Sequence, residues 1–150
     1  MVVDRRLTGE TAENIFLSLV NQRGVFATSF DTEGLDGIAF DPKNELFKVG
    51  RSPFFVQIKA RGSASDAYNS RNFPGNGIRK IESFAQALGL PYDSLYFVVG
   101  FYKNDSVRTI KYFSIPFSSL ETFRTKKGWY QFSVKRCEAA MQEEGSIFEL

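Results

Sequence analysis

The stretch SPFFVQIKARGS (residues 52–63) decides how the rest of the chain is read. Phe54, Phe55, Val56 and Ile58 belong in a buried strand, while Gln57 and Lys59 interrupt the apolar run. Side chains alternate faces along a strand, so Gln57 and Lys59 point the same way. An amide and an ammonium side by side on a core strand have two readings. Either the strand lies at a sheet edge with one wet face, or the two groups line an active site.

Working outward, ETAENIFLSLVNQ (residues 10–22) has the spacing of an amphipathic helix. Its apolar stripe is Ala12, Ile15, Phe16 and Leu19, with Thr8 as the expected cap and Gly24 as the stop. VFATSF (residues 25–30) and LDGIAFD (residues 35–41) read as strands joined by the polar turn DTEG. With the strand at residues 53–59 they are expected to form an antiparallel meander. RGSASDAYNSRNFPGN (residues 61–76) reads as a long functional or mobile loop, and GIRKIESFAQALGL (residues 77–90) as a second helix. SLYFVVGF (residues 94–101) reads as a buried central strand, parallel to an earlier one. RTIKYFSI, a short helix opened by Pro116, the strand GWYQFSV and a helical tail at residues 138–144 complete the pattern. The expected fold is α/β, a mixed sheet flanked by helices, in one domain over residues 1–150.

Composition narrows the chemistry. Aromatics make up 15% of the chain, with sixteen Phe, which is incompatible with disorder. The chain has no histidine, which removes His-ligated zinc, Ser-His-Asp triads and Cys-His dyads. The single Cys137 excludes an intramolecular disulfide and fits a reducing compartment. No apolar run reaches bilayer length and the first residues are charged, so the expectation is a cytoplasmic protein with no membrane segment. The net charge of +2 hides a segregation: residues 1–60 sum to −1, residues 61–136 to +7, and residues 137–150 to −4. A basic second half fits a polyanion partner, and solvated helix faces would explain it equally.

The expected elements bring an acid from a helix (Glu13), an acid from a strand (Asp36) and the Gln57–Lys59 pair to one sheet edge. Asp36, Gln57 and the backbone carbonyl of Ile58 are hard oxygen donors suited to Mg²⁺ or Mn²⁺, with Glu13 farther out and bound through water. Lys59 beside the metal can orient water or neutralise transition-state charge. Glu10, one turn before Glu13, can replace it or merely compensate the helix dipole. Asp41, before a proline, reads as a turn former.

In this order the segments TGETAENIFLSLVNQRG, GLDGIAFD and FFVQIKARGS resemble the PD-(D/E)-x-K nuclease superfamily. The match covers roughly the first 62 residues. Gln57 in place of the second acid is similar to bacterial group I intron homing endonucleases, and the Gly9–Glu13 spacing to archaeal Holliday-junction resolvases. The resemblance implies a restriction-endonuclease-like αβββαβ core and a metal-dependent, site-specific endonuclease acting on duplex DNA. Its catalytic residues would be Glu13, Asp36, Gln57 and Lys59. The alternatives are a junction resolvase and an inert DNA-binding domain of the same fold. A neutral amide lowers metal affinity relative to a second carboxylate.

Arg61 and Ser63 directly follow Lys59 and can hold phosphate. Arg71, Arg79 and Lys80 bracket the start of the second helix, a natural phosphate site. Arg124, Lys126 and Lys127 lie in FRTKKGWYQF, which interleaves basic and aromatic residues as DNA-contacting hairpins do. For each of these a solvated strand end, helix face or turn is the competing reading. One site cuts one strand, so cutting a duplex calls for a homodimer or homotetramer. Aromatics in YFVVGFY and IKYFSIPF could supply the interface or the core.

Overall fold

The alternating runs become strands, and their pairing follows from which runs are apolar on both faces. The computed structural model describes residues 5–32 and 34–150, without the side chains of residues 5–8 and Asp31. After helix α1 (Arg5–Gln22) come β1 (Phe26–Thr32), β2 (Leu35–Phe40), β3 (Phe54–Arg61) and β4 (Arg71–Pro74). Helix α2 (Gly75–Ala87), β5 (Leu95–Lys103), β6 (Ser106–Pro116), β7 (Trp129–Phe132), α3 (Val134–Glu143) and β8 (Phe148–Glu149) follow.

The main sheet has six strands in the order β1-β2-β3-β5-β6-β8. β1, β2 and β3 form the expected antiparallel meander, and β5 lies parallel to β3. β5 is buried from Leu95 to Phe101, which is why its sequence is apolar without alternation. One face of the sheet packs Val56, Ile58, Tyr96 and Tyr112 under Phe16, Leu17 and Val20 of α1. The other packs Phe55, Phe97, Val99 and Phe113 against α2, α3 and the 3-10 segment Phe117–Phe123.

Several expectations need correcting. Thr8 lies inside α1, so it is not the cap; the arginines and leucine before it are good helix formers and carry the helix farther back. The segment after β3 is not a free loop. Asn104 N–H donates to the Ser65 carbonyl and Asp105 N–H to that of Ser63, both at 2.9 Å, and the Tyr68 hydroxyl donates to the Thr109 carbonyl. Its residues Arg71–Pro74 are β4, which pairs with β7 in a separate two-stranded sheet, and Gly75 and Asn76 open α2. Pro116 ends β6, and Phe117–Phe123 is 3-10 rather than α-helical. Tyr96, Phe97, Phe101, Tyr112 and Phe113 are wholly buried, so these aromatics are core and not an interface. The exposed aromatic pair among the described residues is Phe26 and Phe40 on the edge hairpin, with ring centroids 5.8 Å apart. No helix of the described residues is long and apolar enough to cross a membrane. Cys137 is buried, and burial pushes its thiol up to about 12, which leaves it inert at neutral pH.

Candidate metal centre and nucleic-acid cleft

The centre forms where the β2–β3 ladder stops. Paired residues run from Ala39↔Phe54 to Gly37↔Val56 and no farther. The next rung would join Leu35 to Ile58, but Asp36 takes over: its Oδ2 accepts the Ile58 N–H at 2.8 Å. A strand residue directs its N–H and C=O to the same neighbour. The Ile58 carbonyl therefore also faces the gap between β2 and β3, beside the Asp36 carboxylate.

Glu13 reaches this gap from α1, whose Leu17 packs against Gly37. A Cβ on Gly37 would sit 2.8 Å from the Leu17 side chain and 2.9 Å from that of Val56, so a larger residue would push them aside. Glu13 is one turn before Leu17 on the same helix face and so comes over Asp36. The buried Tyr112 hydroxyl donates to the Ala12 carbonyl, anchoring α1 beside Glu13.

Glu13, Asp36 and Lys59 lie near enough to act on one another through their charges. Burial raises the Glu13 carboxyl above its ordinary value, and the charge of Asp36 raises it further, while Lys59 opposes both. Burial likewise raises Asp36, against the Ile58 N–H and Lys59, which lower it. Two partly desolvated carboxylates thus lie near one another with only the charge of Lys59 to offset them, an arrangement that favours an added cation.

Gln57 is only 4% exposed, and its side-chain oxygen Oε1 has no hydrogen-bond partner. A buried carbonyl oxygen left without a donor costs about 1–3 kcal/mol, so it calls for an explanation. Among the described residues no three His, Cys, Asp or Glu side chains come together as a metal-binding group. A divalent ion held here would need oxygen donors from outside that set. Asp36, the orphaned amide oxygen and the Ile58 carbonyl are hard donors that fit Mg²⁺ or Mn²⁺.

Lys59 stands between two clefts. One, of about 730 Å³, is lined by Glu13, Lys59, Arg61, Ser63 and Arg71 among others. The second, of about 390 Å³, is lined by Gln57, Lys59, Phe73, Lys80 and Phe84. The Lys59 ammonium lies 5.9 Å from the centroid of the Phe73 ring, a cation–π contact that restrains the side chain. Phe73 was not singled out from the sequence. Its signal was faint: RNFP is too short to show alternation, and the ring fits only because Gly77 has no Cβ, which would lie 2.7 Å away.

Of the basic candidates, Arg61, Arg71 and Lys80 reach the clefts. Ser63 also lines one, but its hydroxyl contacts that of Ser65 at 2.9 Å and accepts the Ser65 N–H, so it shapes the turn. Arg79 bonds Asn76 and lines neither cleft. Arg124 pairs with Glu121 at 3.4 Å, and Lys126 and Lys127 are exposed on the turn before β7; these three line neither cleft. Glu10 is exposed and acts on Glu13 only through its charge.

The chain is similar in structure to Hjc, a Holliday junction resolvase from the archaeal hyperthermophile Archaeoglobus fulgidus. The TM-score is 0.52, with 14% identity over 88% of each chain. The fold is restriction-endonuclease-like. No family model matches the sequence, and no curated protein does. At this identity the likeness concerns the fold, and the chemistry has to be argued from the residues.

Proposed function

We propose that this protein is a Mg²⁺-dependent endodeoxyribonuclease that hydrolyses phosphodiester bonds. The observation that carries the reading is the unpartnered, buried oxygen of Gln57, the residue before Ile58, whose N–H Asp36 accepts, with Lys59 next along the same strand face. Asp36, Gln57 and the Ile58 carbonyl would hold the metal, with Glu13 completing the site through water. The metal, when bound, supplies Lewis acidity and lowers the pKa of a water. Lys59, restrained over Phe73, orients the attacking water and offsets charge on the phosphate in the transition state. The basic side chains that reach the two clefts hold the nucleic-acid backbone.

The Gln-x-Lys strand supports a homing-type enzyme that cuts duplex DNA at a specific site. The structural likeness to a resolvase supports a second reading, cleavage of four-way junctions. Either substrate has two strands to cut, so the working unit is at least a homodimer.

The test is cleavage of a randomised duplex library and a synthetic four-way junction, with Mg²⁺ or EDTA, by wild type and Lys59→Ala. Cuts within one duplex motif, lost with EDTA and in Lys59→Ala, are the expected result. Cuts confined to the junction would select the resolvase. Because Lys59 acts at one transition state, Lys59→Ala should keep DNA affinity within a few-fold. Normal cutting by Lys59→Ala would remove the assignment.

A further inference from the structure

The larger cleft holds a charge arrangement that hydrolysis at Lys59 does not use. Arg61 is the next same-face position after Lys59 on β3, roughly 6–7 Å along the strand. Arg71 arrives from β4, fixed by its pairing with the wholly buried Phe132. Its Nε is buried and has no hydrogen-bond partner. Burial lowers the Arg71 pKa, and the charge of Arg61 lowers it further. Glu13 and Asp105 also line the cleft, yet among the described residues the salt bridges are Lys103–Asp66 and Arg124–Glu121, neither involving these arginines.

Arg71 is partly buried while Arg61, at the strand end, is exposed; a guanidinium that loses hydration beside a like charge, with no acid paired to it, is costly. The backbone between the two arginines is held in place. The Tyr102 ring lies so close over Gly62 that a Cβ there would be 2.3 Å from it, and the following turn is hydrogen-bonded to the β5–β6 hairpin. Holding such a pair makes sense if an anion completes it. Planar guanidinium forks match phosphate oxygens in pairs. Same-face residues on a strand are also spaced much like successive phosphates of one nucleic-acid strand.

We infer that Arg61 and Arg71 form a dedicated site for one phosphate of the bound strand, the neighbour of the phosphate facing Lys59. This rests on the nuclease reading above and adds a register to it: the strand runs along β3, with the cut at Lys59 and the next phosphate clamped at Arg71.

The experiment is a scan in which single phosphates of the bound DNA are replaced by neutral methylphosphonates. Affinities are measured in EDTA for wild type and Arg71→Gln, and cut sites are mapped separately with Mg²⁺. One replacement, adjacent to the cut, should weaken wild type about tenfold and Arg71→Gln by less than about twofold. Equal losses in both proteins at every phosphate would overturn the inference, as would a coupled phosphate that is not next to the cut. In DNA-free protein, Arg71→Gln should unfold at the same temperature or higher, because it removes an unpaired charge. A fall of several degrees would make Arg71 a structural residue and also overturn it. If the protein binds DNA without cutting, the nuclease reading fails, while the scan still returns one coupled phosphate in support or none against.

Discussion

The two ends of β2 each place an aspartate in a partly or fully buried position, and they are finished differently. Asp41, 2% exposed, accepts N–H groups from Glu45, Leu46 and Phe47 at 2.8–2.9 Å. Its own N–H donates to Ser52 Oγ. These bonds pin the loop that carries Phe47 onto Phe54 and Tyr96. Asp36 accepts one N–H, from Ile58, and faces a second carboxylate, Glu13. A carboxylate saturated by backbone donors has its whole effect in folding. One with a single donor and an acidic neighbour keeps the capacity to hold a cation. The contrast separates a structural acid from a functional one within six residues of sequence.

The sharpest way to break this comparison is to neutralise each acid. Asp36→Asn should lower Mg²⁺-dependent cleavage by at least about 10²-fold while leaving the fold intact. Asp41→Asn should leave cleavage per folded molecule unchanged but cost about 2 kcal/mol of stability in urea unfolding. If the two phenotypes exchanged, the assignment of the centre would be wrong.

A smaller effect is expected at the amide. Gln57→Glu adds a negative charge to the proposed donor set, so Mg²⁺ or Mn²⁺ should bind about tenfold more tightly by calorimetry. Unchanged affinity would show that Gln57 is not a ligand.

The smallest effect concerns pH. Glu13 and Asp36 both have folded values raised above their ordinary ones. The stability they give is therefore full below roughly pH 4 and is lost as pH rises through the raised values. A divalent ion should offset that loss. The gain in melting temperature on adding Mg²⁺ should grow by a few degrees from about pH 4 to 7 and vanish in Asp36→Asn. A gain independent of pH, or retained in Asp36→Asn, would place the ion elsewhere.

Much of this was legible in the chain. The 3.6-residue stripe of the first helix, the alternating strands and the unbroken apolar run of β5 are local patterns, and each became the element it announced. Glu13, Asp36, Gln57 and Lys59 are carried by those elements, so their placement on α1, β2 and β3 followed from element order. The aromatics of β5 and β6 were not assignable, because an apolar side chain reads the same at an interface and in a core.

What the sequence alone determined was therefore the elements and the identity of the acids, amide and lysine, since side-chain period and residue chemistry are local properties. The tertiary structure decided the rest. The strand character of RNFP exists only through its pairing with the distant β7, and that pairing brings Arg71 and Phe73 to the clefts. The break in the β2–β3 ladder where Asp36 binds Ile58, the lone Gln57 oxygen and the packing of Leu17 on Gly37 all lie between segments remote in the chain. Contacts between remote segments are settled by packing and backbone hydrogen bonding together, and no short window of residues carries that information.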